Sequence, residues 1–415
     1  MTLLRRHPAF RRLWAAAAIS QLGDWLSFVA VSVLALASGG GALGLAVVFA
    51  AHALPGALLS PVAGALVDRV DRRRVLLAAD GVAAALTVAM AVAAAAGAFT
   101  AVQLLLLARS AVSAIMPAAE SAVVRRLVAP DELVPANALL AATWSIAYVA
   151  GMALGGVAAL LGPALALLVD AATFVVAAAV HARLPPIPVD PERRADLIAI
   201  VRATPRDTAI ALRVAADHRP LLAAVLGKAP LGLAAGAAWV ALNLIGAAAQ
   251  PFGAAALSFG ILQAIRGAGT GIGPAAAAWL ARRGAREISL DHAARASMLL
   301  AVAGLAVARD PLGLAAVSLV WGVGTGTNWV LAHTALQRHA TDAVIGRLAA
   351  FDELLVTVAM VVSAFAGAVV ADAAGAGAAA LTGVALGVLG LSAAAAVVTR
   401  AGAPRLADPA EVASS

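Results

Sequence analysis

The chain has 415 residues, 63% of them hydrophobic and 12% charged, with a net charge of +7 and a mean hydropathy of +0.96. Soluble domains carry about 25% charge, and continuous rather than alternating apolar runs exclude a porin-like barrel. There is no cysteine, which excludes disulfides, thiolate metal sites and cysteine nucleophiles, so the composition is that of a polytopic helical membrane protein.

The N-terminus, "MTLLRRHPAFRRLW", holds Arg5, Arg6, Arg11 and Arg12 and runs into a long apolar stretch without a small-residue cleavage site, so it reads as retained. Apolar runs set against breakers predict twelve spans, at 12–37, 43–67, 75–97, 101–124, 136–161, 163–182, 220–245, 253–281, 292–308, 311–336, 348–371 and 375–399. Bases fill the even links. Arg69, Arg72, Arg73 and Arg74 lie in the second, Arg125 and Arg126 border the fourth, and Arg183 to Arg219 occupy the sixth. Arg282, Arg283 and Arg286 lie in the eighth, Arg338 and Arg347 flank the tenth, and Arg400 and Arg405 follow the last span. The odd links are nearly bare, with Arg309 their only base. By the positive-inside rule both termini and the even links are cytoplasmic, and the basic balance reflects topology rather than nucleic-acid binding. The expected setting is the plasma (inner) membrane.

Residues 183–219 form the longest link. They open on the proline-rich "RLPPIPVDPERR" and continue in "DTAIALRVAADHRP", where Ile210, Leu212 and Val214 alternate with polar groups; a short amphipathic helix on the membrane interface is expected there. The link divides the chain into an N-terminal bundle (1–182) and a C-terminal bundle (220–400), with a cytoplasmic tail at 401–415. The halves repeat: with Pro61 laid on Pro274, Glu120 falls on His333 at the same offset. A six-plus-six repeat places a substrate site between the halves near the midplane.

"GALVDRVDRRRVL", Gly64 to Leu76, contains Gly64-x-x-x-Asp68-Arg69-x-x-Arg72-Arg73. This resembles the signature between the second and third helices of the major facilitator superfamily, with Asp71 where the family has Gly. "FRRLWAAAAISQLGDWLSFVA" and "RRLVAPDELVPANALLAATWSIAYVAGMALGG" resemble the branch that includes macrolide-efflux proteins and enterobactin exporters. The resemblance covers essentially the whole chain. It implies an all-α fold of twelve transmembrane helices in two pseudo-symmetric six-helix bundles. It also implies that Gly64, Asp68, Arg69, Arg72 and Arg73 act as a conformational latch on the cytoplasmic side, the alternative being a topogenic loop only; Glu120, near the end of the fourth span, and Asp352 and Glu353, near the start of the eleventh, are placed to be its helix-end partners.

Ionisable residues at membrane depth cost about 2.5–3.5 kcal/mol or more, so each needs a reason. Asp24 lies about 18 Å into the first span. Arg109, in "LLARSAVSAIMPAAES", resembles the arginine of the fourth-helix motif of proton-coupled antiporters, with Ser113 where Gly is usual. Asp24 and Arg109 form the best pair for a protonation switch, with Asp170 next in line. Lys228 is explained equally by snorkelling and by lining a cavity. Arg266 is too deep to snorkel and needs a carboxylate or a cavity position. His52, Asp170 and His333 are more readily explained by bonds to neighbouring helix backbone. "GMALGG" resembles the fifth-helix signature of antiporters, with Met152 in place of proline, and its Gly151, Gly155 and Gly156 allow close helix approach. "GAGTGIG", Gly267 to Gly273, lies inside an apolar span and is no phosphate loop.

No Walker sequence, metal-ligand spacing or nucleophile elbow occurs, so neither an enzyme nor a metal or other cofactor is expected. The reading is a secondary transporter, acting as a monomer on a small-molecule substrate and coupled to protons. It exports amphipathic organic compounds by alternating access, with Trp144, Tyr148, Trp321 and Trp329 as candidate cavity aromatics. An importer of a small metabolite, or a membrane scaffold or sensor, are the alternatives. A scaffold has no need of Asp24, Arg109 and Arg266 at depth.

Overall fold

Lipid offers no partner to a backbone amide, so apolar runs of this length fold as helices that satisfy their own hydrogen bonds. The computed structural model describes residues 2–67, 69–187, 197–342 and 344–401, and among these it is helical throughout, with no strand. Twelve long helical stretches follow one another: α1 (Pro8–Ala37), α2 (Gly41–Val67), α3 (Arg72–Ala95), α4 (Phe99–Leu127), α5 (Leu133–Leu160) and α6 (Pro163–His181), then α7 (Arg219–Ala249), α8 (Ala255–Arg282), α9 (Glu287–Gly304), α10 (Pro311–His339), α11 (Ile345–Ala374) and α12 (Ala376–Ala401). Ten are long and apolar enough to cross a membrane by length and composition. The other two, α8 and α9, are diluted by Gln263 and Arg266, and by Glu287, Asp291 and Arg295.

Two expected continuous spans are bent. The fourth divides into Phe99–Ser113 and Met116–Leu127, because Pro117 has no N–H for the Ser113 carbonyl. The seventh divides at Gly227 and Lys228 for the same reason at Pro230. The ninth begins five residues before its apolar run, at Glu287 rather than 292. Its polar first turns are satisfied: Asp291 accepts from Arg295 at 2.7 Å and from Asn328 at 2.7 Å, and Glu287 pairs with Arg338 at 2.6 Å.

The long link carries a helix at Leu197–Ala216. Its buried residues are Ala211 and Ala215, while Ile210 and Val214 are exposed. Alternating residues fall on different sides of a helix, whereas positions four apart share a face. The opening of that link at 188–196, Asp68 of the second link and the tail from 402 lie outside the described residues.

The two bundles pack alike. α1 lies against α5 and α6, as α7 does against α11 and α12; α2 meets α4, as α8 meets α10. They join along two seams, α2 with α11 and α5 with α8. At the second seam a side chain on Gly260 would collide with the Met152 carbonyl, and one on Gly156 would lie 2.8 Å from the Ala256 carbonyl.

Among the described residues the halves pack closely at the arginine-poor end. Toward the arginine-poor end, Trp239 of α7 is buried, with ring centroids 5.8 Å from Phe28 and 5.1 Å from Phe49. There too a Cβ on Gly41 of α2 would lie 3.7 Å from Asp372 of α11. At the arginine-rich end lies a cavity of about 730 Å³, bounded by Ser60 of α2, the link helix and residues of α7, α10 and α11.

Candidate functional site

Three charged side chains from three helices of the first bundle meet inside it. Arg109 of α4 is 1% exposed and Asp170 of α6 is fully buried. One guanidinium nitrogen of Arg109 lies 2.7 Å from Asp24 Oδ1, 2.8 Å from Asp170 Oδ2 and 3.3 Å from Ser27 Oγ. Asp24 lies sixteen residues into α1, about 24 Å along it, and its side chain is 25% exposed. Asp170 also accepts from the Thr173 hydroxyl at 3.3 Å. Gly23 makes the approach of α1 and α6 possible, since a side chain there would strike Thr173 and Asp170. Two carboxylates share one guanidinium, so the cluster carries one excess negative charge when both are ionised, while Arg109 Nε has no partner. Such an arrangement can take up one proton and stay compensated.

Beside Asp24, Trp25 packs edge-on against Tyr148 at 4.7 Å and against Trp144 at 5.8 Å. His52 lies 4.7 Å from the Phe28 ring. Across the α5–α8 seam Arg266 meets these aromatics. Its Nε donates to Gln263 Oε1 at 2.8 Å, another nitrogen donates to the Tyr148 hydroxyl, and its guanidinium lies 5.1 Å over Trp321. Gln263 passes the chain to Asn243 of α7 at 2.9 Å. Among the described residues no carboxylate pairs with Arg266; π faces and amides surround it instead.

Lys228 does not snorkel. It is 3% exposed at the bend of α7, 2.5 Å from Asp352 Oδ2, 3.7 Å from Glu353 Oε2 and 4.2 Å over the Trp329 ring. Asp352 and Glu353 thus face Lys228 of their own bundle, with His333 lining the same cavity.

The second link is tied to the end of α6. Asp71 caps α3 by accepting from the Arg74 amide at 3.1 Å, and its other oxygen accepts from the Ile187 amide at 2.9 Å. With φ −50° it has no need of glycine. Arg73 donates to the Ala182 carbonyl at 2.5 Å, and Arg12 to that of Arg183 at 2.7 Å. Arg72 is buried and its amide donates to the Ile187 carbonyl at 3.3 Å; Arg69 is half-buried. A Cβ on Gly64 would meet nothing within 4 Å, and no ion pair among the described residues reaches Glu120. Gly151 and Gly155 abut α1: their Cβ positions lie 2.9 Å from the Leu22 carbonyl and 2.8 Å from that of Leu26. One buried pair escaped the sequence reading, His181 Nδ1 with Asp80 Oδ2 at 2.6 Å between α6 and α3.

A family model described as transmembrane secretion effector, of the major facilitator superfamily, matches residues 4–414. The chain belongs to this family. No curated protein matches it by sequence. Among solved structures, a nucleoside transporter superposes with a TM-score of 0.71 at 14% identity, covering 94% of this chain and 99% of that one. A bacterial homologue of the iron transporter ferroportin, inward-facing, gives 0.69 at 16% identity over 94% and 98%. A bacterial homologue of the human lysosomal transporter Spinster, inward-facing and unoccupied, gives 0.69 at 13% over 95% and 96%. At these identities the likeness is one of fold. This major facilitator protein is a multi-pass secondary transporter of a small-molecule substrate, not an enzyme.

Proposed function

We propose that this family member is a proton-coupled exporter of small amphipathic organic compounds, working as a monomer in the plasma membrane with its arginine-rich face in the cytoplasm. The observation that carries the reading is the triad of Asp24, Arg109 and Asp170: two acids on one base, one of the acids fully buried and the other partly exposed. Protonating Asp24 removes its attraction to Arg109 and leaves the Arg109–Asp170 pair intact. The charge and position of α1 relative to α4 and α6 thereby become functions of proton occupancy, the differential interaction that a coupled conformational equilibrium requires. The aromatic wall of Trp25, Trp144 and Tyr148 adjoins the acid and suits an amphipathic guest. The arginine asymmetry supports the orientation, and on that orientation the cavity at the arginine-rich end makes this the inward-facing state. The family's description as a secretion effector supports the outward direction.

The test is Asp24→Asn in sealed vesicles with an imposed proton gradient. The variant inserts and folds, because Arg109 keeps Asp170, and proton-driven transport is lost. Wild-type coupling in purified Asp24→Asn would move the proton to Asp170.

A further inference from the structure

The triad leaves a second charged cluster unused, at the open end of the other bundle. The cavity of about 730 Å³ is lined by Asp207, Lys228, Trp329, His333, Arg347, Asp352 and Glu353, among others. With histidine neutral, its three acids outnumber its two bases. Arg347 is partly neutralised by Asp207, at 3.2 Å. What remains is two adjacent carboxylates and an indole face, and these converge on one point, the Lys228 ammonium. Asp352 is 2% exposed, yet its Oδ1 is buried with no partner, so the cage keeps an acceptor that the lysine does not satisfy. Carboxylates set around an indole face are the recognition chemistry of an organic ammonium ion. The volume falls within the range of small-molecule pockets.

We propose that this cavity is a binding site for an organic ammonium ion and that Lys228 is its built-in occupant, displaced when the ligand's cationic head enters between Trp329 and Asp352. Lys228 sits where Pro230 bends α7, so its ammonium reaches the cage from a helix end on four rotatable bonds and can withdraw toward the cavity. The exchange replaces one cation by another, and neither carboxylate is stripped of compensation. The inference deepens the exporter reading by naming a substrate class, and rests on that reading only for the direction in which the cation moves.

Lys228 is the sole lysine of the chain, which supplies a measurement on the unmodified protein. Reductive methylation of Lys228, followed by mass spectrometry of its peptide, is slow in the free transporter. At saturating benzyltrimethylammonium it accelerates about tenfold or more, while the uncharged isostere neopentylbenzene leaves it unchanged. By calorimetry, Lys228→Met binds the cation about tenfold or more tightly than the natural chain, and Asp352→Asn added to Lys228→Met removes that gain. Failure of the cation to bind, or binding that leaves Lys228 methylation unchanged or slower, overturns the proposal even where the variants misfold. None of these measurements uses a proton gradient or a direction of transport. Cation binding without export would therefore strike the exporter reading and leave the site standing.

Discussion

Arg109 holds the charge cluster of the first bundle together. It is 1% exposed and compensates Asp170, which is fully buried. Removing one partner of a buried pair strands the other, at a cost of about 3–5 kcal/mol. Arg109→Ala should therefore lower the thermal unfolding midpoint strongly, followed by tryptophan fluorescence in detergent. Adding Asp170→Asn should recover most of the loss while leaving transport dead. Equal destabilisation in the single and double variants would mean that Arg109 acts through packing alone. Gly23 makes a smaller but sharper case. Gly23→Ala places a methyl against Thr173 and Asp170, and α1 must shift or Asp170 must turn away from Arg109. Proton coupling should fall by more than stability does, measured as the ratio of protons to substrate moved in vesicles.

At the scale of helices, glycine decides which faces touch. Gly260 of α8 lies against the Met152 carbonyl and Gly156 at the seam between bundles, whereas Gly64 of α2 faces open space. Gly260→Ala overpacks the seam and should cost about 1–3 kcal/mol. Gly64→Ala should leave the unfolding midpoint unchanged in this state but slow transport if, as we propose, the opposite state brings the arginine-rich ends of α2 and α11 together. A destabilised Gly64→Ala protein with full transport would contradict both points. The spans themselves were legible in the sequence, because hydropathy and arginine asymmetry are properties of local composition. Asp24 and Arg109 were legible as a pair because each is anomalous alone at membrane depth. The pairing of Lys228 with Asp352, and of His181 with Asp80, was not. Those partners lie far apart in sequence, and only the packing of α7 on α11 and of α3 on α6 brings them together. The link helix was legible as an amphipathic segment, but the face it buries was not. Its apolar residues alternate, but the helical period selected Ala211 and Ala215 for burial.

For the molecule as a whole, the open question is how its two bundles rock and what biases them. If the proposed orientation holds, an alkaline phosphatase fused after Ser415 should be retained in the cytoplasm and stay inactive, and strong periplasmic activity would refute the orientation. We propose that the second link sets this bias. Arg72 is buried where α3 begins, while Arg73 and Asp71 bind the link to the end of α6, so these three side chains are held at one edge of the first bundle. On this proposal the edge meets α11 in the state that closes the arginine-rich end. The double change Asp68→Asn with Arg72→Ala keeps Arg69, Arg73 and Arg74, so the link stays cytoplasmic. It removes charge-assisted contacts worth about 1.5–3 kcal/mol when partly buried, and about 1.4 kcal/mol is a factor of ten in an equilibrium. The balance should therefore move at least about tenfold toward the state open at the arginine-rich end. Ser60 is exposed and lines the cavity there, and the chain has no cysteine to interfere, so Ser60→Cys makes a clean reporter. Its labelling by a small thiol reagent should quicken in the double variant. Normal expression with unchanged labelling and unchanged transport would reduce the arginine cluster to a topological anchor.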